Sequence, residues 1–284
     1  MNLIQAITTP SWAAGLRPVT SKCRTCQRTM TLRQFSASKA GIRMHDHWYC
    51  SSPCFTVAVE RELSELLPPW QECPDRVVRM PLGLVCVSRG LLTHAQLKEA
   101  TDEQKRSGGE IGDLLVQIGA VSEKDVTAVR AAQWGCPVFS MPRQFVPTAI
   151  RIPSALIRLY SAAPLHYVTA TNTLMVGFIH RIEYGLLYVS EQVTGCKTQP
   201  CFVTPSDFQI HQQRIERAPE KNGERVAKQV EFENLQSPVE MAKILCSYGV
   251  EFEAEEVNIK RYKEYIWARL KCGHTDADLL FRAG

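Results

Sequence analysis

Between Met80 and Trp134 the sequence carries one pattern of residues twice. Six positions of the first copy recur, as the same or a similar residue type, 29 residues later. The paired positions are Gly83, Gly90, Thr93, Leu97, Ala100 and Gln104 in the first copy, and Gly112, Gly119, Ser122, Val126, Val129 and Gln133 in the second. A fixed period indicates a repeated supersecondary unit whose copies bury their apolar faces against each other.

Each copy predicts a helix, a break and a second helix. One helix face of the second copy is apolar at Ile111, Leu114, Leu115 and Ile118. Gly119 follows where that helix is expected to end, and Ser122 is a suitable N-cap for the next one. In the first copy Thr93 and Gln96 predict a capping box. A plain helical-hairpin repeat, with glycine caps and an apolar core, explains all of these features.

The order Leu or Ile, Gly, Leu, Gly, Leu, Ala and Gln, repeated after the spacer Lys105–Gly109, resembles the MshEN domain. This is the GspE N-terminal family of type II secretion and type IV pilus ATPases. In part of that family the tandem motif binds cyclic di-GMP, and each motif opens with Arg. The resemblance implies a ligand-binding set at Arg79, Leu82, Gly83, Gly90, Leu97, Gln104, Ile111, Gly112, Leu115, Gly119, Val126 and Gln133.

The sequence departs from that family pattern at the opening positions, which are Pro81 and Glu110. Arginine there would supply a planar cation that suits guanine and phosphate, whereas Glu110 would repel phosphate. Arg79 lies two residues before Pro81 and is a candidate substitute. The family also often carries Asp-Pro after a later strand, where this chain has His180 and Arg181. The sequence therefore resembles the family more closely in fold than in ligand chemistry.

The chain has 284 residues, of which 45% are hydrophobic, and no apolar run approaches the roughly 20 residues that cross a membrane. The N-terminus does not resemble a signal peptide, so we expect a cytoplasmic protein. Eleven cysteines are many for such a chain. In a reducing compartment, closely spaced cysteine pairs indicate metal binding rather than disulfides.

Two such pairs, Cys23-x2-Cys26 and Cys50-x3-Cys54, offer four thiolates to a tetrahedral Zn²⁺. The first pair predicts a knuckle turn, and Met30–Phe35 is expected to pair with Ile42–Tyr49 as a hairpin. Ser51 or Ser52 is expected to cap a helix that carries Cys54. This order resembles a treble-clef zinc module, and a closed set of four thiolates makes the zinc structural rather than catalytic. His45 and His47 are alternative ligands, although four cysteines already complete a set.

After the repeat, alternating strands and helices up to about residue 217 predict a small α/β subdomain. The order again resembles the MshEN family, and the resemblance covers about residues 79–217. The predicted strands include 138–141, 166–170, 174–179 and 199–204, and Ser206 is the expected cap of the last helix. Residues 230–284 predict a further α/β unit, with a helix capped by Ser237 and a hairpin of strands 257–262 and 265–270.

We therefore predict an α/β (α+β) chain with six segments. These are a flexible arm (1–19), a four-cysteine zinc module (20–64), a linker (65–78), an MshEN/GspE N-terminal-like domain (79–217), a second linker (218–229) and a small α/β unit (230–284).

Three functions remain open at this point. The phosphate-binding loop Gly-x4-Gly-Lys-Ser/Thr is absent from the chain, which argues against an ATPase motor here. The first hypothesis is a non-catalytic regulatory or adaptor protein that docks a secretion, pilus or signalling partner, with the zinc module as a second contact. The second is a cyclic di-GMP receptor. The third is nucleic-acid binding, because residues 1–54 contain seven Lys and Arg against Asp46 alone.

Overall fold

The computed structural model describes residues 20–31, 41–68, 78–140, 152–217 and 228–283, apart from 234, 236, 274 and 275. The predicted arm, residues 69–77 of the first predicted linker and residues 218–227 of the second lie outside this range. The described residues form helices and three sheets, so the predicted mixed α/β class is confirmed. None of the described helices is both long enough and apolar enough to span a membrane.

The cysteine module consists of two short hairpins and a helix. Its elements are β1 (Thr20–Lys22), β2 (Thr29–Thr31), β3 (Ile42–Met44), β4 (His47–Tyr49) and α1 (Ser52–Leu66). Strand β1 pairs with β2 and β3 pairs with β4, both antiparallel. The predicted pairing of 30–35 with 42–49 is therefore wrong for residues 30 and 31, and residues 32–35 lie outside the described range. Because His45 and Asp46 both have positive φ, the chain reverses within 42–49 and makes a hairpin of its own.

The tandem repeat folds as two helical hairpins, as its period predicted. The helices are α2 (Leu82–Ser88), α3 (His94–Ser107), α4 (Ile111–Gln117) and α5 (Glu123–Trp134). Thr93 and Gln96 form the predicted capping box at α3. The Ser122 side chain accepts the Asp125 backbone N–H at the start of α5. Each copy therefore begins its second helix with the same cap.

The α/β subdomain follows directly. Its elements are α6 (Ser154–Tyr160), β5 (Ala162–Val168), β6 (Thr173–Phe178), α7 (Tyr184–Thr194), β7 (Lys197–Phe202) and α8 (Pro205–Arg217). The sheet order is β5-β6-β7, with β5 antiparallel and β7 parallel to β6. The predicted strand at 138–141 is reduced to one bridge between Val138 and Phe202. The Thr204 hydroxyl accepts the Asp207 N–H, so Thr204 rather than Ser206 caps α8.

The C-terminal unit contributes β8 (Lys228–Phe232), α9 (Pro238–Glu251), β9 (Glu256–Tyr262), β10 (Tyr265–Lys271) and β11 (Ala277–Arg282). The hairpin of β9 and β10 and the Ser237 cap are confirmed. Strand β11 was not predicted from the sequence. These strands join the cysteine module in a six-stranded sheet of order β4-β3-β9-β10-β11-β8, in which β3 runs parallel to β9.

The C-terminal sheet is buried on both faces. Along β10, Ile266, Ala268 and Leu270 belong to a core with α1 and α9, while Trp267 faces a second core with α7. The first core contains residues of the cysteine module, among them Cys23, Trp48, Phe55 and Leu63. The second core is shared with the α/β subdomain. The sheet thus joins strands of the cysteine module to strands of the C-terminal unit, although these two segments are far apart in sequence.

Candidate functional site

The four cysteines predicted to bind a metal lie together. The Sγ atoms of Cys23, Cys26, Cys50 and Cys54 are all within 4.8 Å of one another. The Cys26 and Cys50 sulfurs are 3.4 Å apart, and the Cys50 and Cys54 sulfurs are 3.8 Å apart. A tetrahedral site with Zn–S bonds of about 2.3 Å has sulfur–sulfur edges of about 3.8 Å. The cluster therefore has the dimensions of a site that can hold a tetrahedral metal ion.

Two hairpin ends and one helix start bring these sulfurs together. Cys23 and Cys26 lie in the turn between β1 and β2, Cys50 follows β4, and Cys54 lies in the first turn of α1. The Thr25 hydroxyl donates to the Cys54 carbonyl and ties the knuckle to α1. Cys26 is exposed, whereas Cys23 is fully buried. The cluster consequently lies at the surface with one side facing the core.

The environment of the cluster favours charge on sulfur at Cys23. Burial by itself would raise the pKa of Cys23, but backbone N–H groups of Cys26, Cys50 and Thr25 outweigh it and lower this pKa to about 6. Burial and the neighbouring thiol of Cys26 raise the pKa of Cys50 to about 12. Four adjacent thiols cannot all ionise unless a cation compensates their charge. A divalent metal ion would supply that compensation.

The tandem motif is closed by two equivalent hydrogen bonds. The Gln104 side-chain amide donates to the Gly109 carbonyl over 2.8 Å, directly before the second motif opens. The Gln133 side-chain amide donates to the Met80 carbonyl, directly before the first motif opens. Both the donors and the acceptors are 29 residues apart. The final glutamine of each copy thus binds the backbone directly before the motif of the other copy.

The glycines of the motif serve close packing and helix ends. A Cβ on Gly83 would lie 2.3 Å from Leu97 Cδ1, and a Cβ on Gly112 would lie 2.5 Å from Arg130 Nη2. Gly90 and Gly119 have φ of +71° and +73° and lie two residues after the ends of α2 and α4. A Cβ at these two positions would meet no atom within 4 Å, so it is the left-handed backbone that favours glycine there.

The apolar members of the predicted ligand set belong to one core. Leu82, Leu115 and Val126 are buried, and Leu97 and Ile111 pack against them. The structure therefore brings together the apolar positions of the predicted set with Gly83 and Gly112, through contacts that the repeat makes with itself. Their role in binding a ligand remains a prediction.

Arg79 was the predicted substitute for the missing opening arginines. Its guanidinium carbon lies 3.6 Å from the centre of the Trp134 ring, at the end of α5. Pro81 and Glu110 are exposed. The two motif openings thus present a proline and a carboxylate, and Arg79, two residues before the first opening, is stacked on an indole ring.

A charged group that the motif analysis did not include connects the repeat to the α/β subdomain. Arg130 is 3% exposed and donates to the Ile179 carbonyl over 2.8 Å. Its Nη2 is 3.6 Å from Asp113, and Asp113 is also 3.8 Å from His180 Nε2. The position of the first copy that is equivalent to Arg130 is Thr101. In the sequence, the signal that could have identified this group was the difference between the two copies, with Arg130 where the first copy has Thr101.

No protein-family model matches the chain. Among curated proteins, it is 25% identical over 129 residues to the type IV pilus assembly ATPase PilB of Thermus thermophilus, which is 45% of this chain and 14% of that protein. It is 35% identical over 60 residues to PilB of Myxococcus xanthus, which is 21% of this chain and 11% of that protein. The predicted resemblance to pilus ATPases is confirmed by these sequence matches.

Solved structures similar to this chain include MshE with cyclic di-GMP, with a TM-score of 0.40 and 22% identity over 48% of this chain and 99% of that one. The N-terminal domain of XpsE has a TM-score of 0.38 and 18% identity over 47% of this chain and 92% of that one. By sequence, the chain contains a region similar to part of a type IV pilus assembly ATPase. It spans only about one seventh of the length of the Thermus relative.

Proposed function

We propose that this protein is a non-catalytic adaptor whose MshEN-like region docks a protein partner of a type IV pilus, type II secretion or signalling system. A structural Zn²⁺ bound by Cys23, Cys26, Cys50 and Cys54 stabilises the cysteine module. Four thiolates leave no open coordination position, so this zinc has no place for a substrate or a reactive water. Within this chain, no phosphate-binding loop supports ATP hydrolysis.

The reciprocal closure of the tandem motif is the observation that carries this proposal. Gln104 and Gln133, the glutamines that recur in the motif, donate to backbone carbonyls of the repeat. The apolar motif residues form the core of the repeat. The opening residues themselves, Pro81 and Glu110, offer no cation to a dinucleotide phosphate. These features favour a rigid protein-binding scaffold over a nucleotide receptor.

A patch next to the motif, with three exposed residues around the half-buried Trp134, supports docking. We define the patch as Met80, Trp134, Tyr184 and Tyr188. The Trp134 and Tyr184 ring centres are 6.2 Å apart, and Tyr188 lies one helical turn further along α7. Tyr184 and Tyr188 are 54% and 60% exposed. Tyr, Trp and Met are enriched in protein interfaces relative to other surfaces, so this patch has the composition of a contact site.

Site-specific photo-crosslinking in the native cell tests the docking proposal. A photoreactive phenylalanine analogue at Tyr188 is compared with one at Val250 on α9, which is 62% exposed and lies in the C-terminal unit. We expect the variant at position 188 to crosslink a component of a pilus, secretion or signalling assembly, identified by mass spectrometry. The variant at position 250 should not crosslink it. Equal crosslinking at both positions would contradict docking through this patch.

Calorimetry with cyclic di-GMP on the full chain distinguishes the adaptor from the receptor. We expect no heat of binding from the wild-type protein at micromolar ligand concentrations. Binding that is lost in Arg79→Ala and retained in the control Arg158→Ala would make the protein a receptor and would contradict the adaptor proposal. Arg158 is a suitable control because it is a half-exposed arginine whose partner is Glu231, in the C-terminal unit.

A further inference from the structure

Strand β8 lies at one edge of the six-stranded sheet, and no strand of the described residues pairs with its outer side. It runs parallel to β11, and the Lys228 backbone N–H donates to the carbonyl of the residue before β11. Because alternate residues bond to the neighbour in a parallel ladder, the backbone groups of Lys228, Val230 and Phe232 face β11. The N–H and C=O groups of Gln229 and Glu231 therefore point out of the sheet, and none of the described residues bonds to them.

The polar side chains of β8 are held against the two faces of the sheet rather than across this edge. Lys228 Nζ lies 5.2 Å from the centre of the Phe252 ring, at the end of α9. On the opposite face, the Gln229 side chain accepts two hydrogen bonds from the first residue of α6. Glu231 lies 3.9 Å from Arg158 of the same helix. These contacts direct all three side chains away from the outward backbone groups.

The α9 face of β8 is apolar and only partly covered. Val230 and Phe232 pack against the core beneath α9 and remain partly exposed. The Phe232 ring centre is 6.0 Å from that of Tyr248, and the Tyr248 ring is stacked on Phe252 at 6.0 Å. A strand added beside β8 would cover part of this aromatic row, so it would bury apolar surface in addition to forming main-chain hydrogen bonds.

The sequence of β8 is complementary to itself in one antiparallel register. In such a pair, residues with outward backbone groups exchange both hydrogen bonds with outward residues of the other strand. Pairing Gln229 with Glu231 in both directions, about Val230, uses all four outward groups of each copy. It also places Lys228 opposite Phe232 of the second copy, so that no like charges are opposed. Pairing Glu231 with Glu231 would oppose two carboxylates, and pairing Gln229 with Gln229 would leave Glu231 without a partner in β8.

We propose that two copies of this chain associate through β8, antiparallel about Val230, so that their six-stranded sheets form one continuous sheet. The association has twofold symmetry, because the same strand supplies both sides. The edge of a sheet is a template for a further strand, and the second copy satisfies the outward backbone groups of Gln229 and Glu231. The surface lies in the C-terminal unit, and the association does not depend on the docking function proposed above.

Sedimentation equilibrium of the full chain tests this association at protein concentrations up to about 200 μM. We expect the wild type to be a mixture of monomer and dimer whose ratio depends on concentration. Glu231→Pro removes an outward N–H and should raise the dimer dissociation constant by about tenfold or more. Proline is tolerated on an edge strand where the N–H faces outward, so the sheet itself should persist. The control Glu231→Ala keeps that N–H and should raise the dissociation constant much less.

Two substitutions of Gln229 test the register. Gln229→Glu places a carboxylate opposite Glu231 of the second copy, whereas Gln229→Lys places an ammonium group there. Both lose the hydrogen bonds to α6, so they differ chiefly in the sign of the charge. We expect the dissociation constant of Gln229→Glu to be about tenfold higher than that of Gln229→Lys. The net charge of +4 by itself favours the opposite order, since added positive charge increases repulsion between copies.

Far-ultraviolet circular dichroism and the urea midpoint establish that each variant is folded, and the two Gln229 variants decide the question if Glu231→Pro does not fold. A monomer at every concentration overturns the proposal, whether the edge is then covered by another segment of this chain or by a different protein. A dimer that is equally stable in the wild type and in Glu231→Pro also overturns it, because another surface would then hold the copies together. Equal dissociation constants for the two Gln229 variants overturn the proposed pairing.

Discussion

The side-chain amide of Gln133 donates a hydrogen bond to the backbone carbonyl of Met80, 53 residues earlier in the chain. Gln104 makes the equivalent bond to Gly109, so each copy of the tandem motif is fastened by the last polar residue of the other. The two copies are therefore linked reciprocally: the backbone before the first helix of each copy is held by a side chain of the other copy.

Replacing either glutamine should loosen this closure. We expect Gln133→Ala or Gln104→Ala to lower the free energy of unfolding by about 1 kcal/mol, the usual net value of one such hydrogen bond. Urea unfolding measures this change. Gln117→Ala is the control, since Gln117 is an exposed glutamine at the end of α4. Equal losses in the control and in Gln133→Ala would show that the closure contributes nothing.

Because Gly112 lies close to Arg130, we expect Gly112→Ala to lower the free energy of unfolding, whereas a glycine substitution at an open helix position should not. Gly112→Ala should destabilise the protein by roughly 1–3 kcal/mol, because the new methyl group would overlap Arg130 Nη2 and press on Leu82 and Val126. Gly249→Ala in α9 should be neutral or stabilise by up to about 1 kcal/mol, since its nearest neighbour would be 3.8 Å away. Thermal unfolding of both variants checks this. A stabilised Gly112→Ala would contradict the packing.

Loss of the metal should destabilise the chain beyond the cysteine module. Strand β3 pairs with β9, and Cys23 shares a core with the C-terminal sheet. We expect Cys54→Ser, or removal of zinc by a chelator, to lower hydrogen-exchange protection in β9 by about tenfold or more, which is about 1.4 kcal/mol.

In the same hydrogen-exchange experiment, strand β6 and the variant Cys136→Ser serve as controls. Protection in β6, in the separate three-stranded sheet, should change much less. Cys136→Ser, which lies outside the cluster, should leave β9 protected. Deprotection restricted to residues 20–66 would mean that the cysteine module unfolds independently.

The buried imidazole of His211 predicts an acid-sensitive contribution to stability. His211 is fully buried, and its Nε2 lies 2.7 Å from the Pro164 carbonyl oxygen. Burial lowers its pKa below the ordinary 6.5, so the unfolded chain binds this proton more readily than the folded protein. The stability that it contributes is present above that ordinary value and is lost as the pH falls below it.

Urea unfolding at about pH 7.5 and about pH 5.5 measures this effect. The free energy of unfolding should fall less between these two pH values in His211→Gln than in the wild type. His94→Gln, at an exposed position of α3, should fall as much as the wild type. An unchanged pH dependence in His211→Gln would remove His211 as the cause.

Much of the local structure follows from short-range patterns. The 29-residue period, the capping box at Thr93 and Gln96 and the Ser237 cap were all predicted, because helix ends depend on residues within one turn. The short spacings Cys23-x2-Cys26 and Cys50-x3-Cys54 likewise predicted that each pair lies together. Strand β11 was missed, although its residues 277–282 are mostly apolar and continue the sheet beside β10.

The sequence by itself determined the repeat, its caps, the mixed α/β class and the cysteine cluster. Only the tertiary structure decided that Arg43 pairs in register with Glu256, that Arg79 stacks on Trp134 and that Gln133 reaches Met80. The physical reason is separation along the chain. A cap or a knuckle is stabilised by neighbouring residues, whereas pairing of β3 with β9 needs a shared core that exists only after both segments have packed.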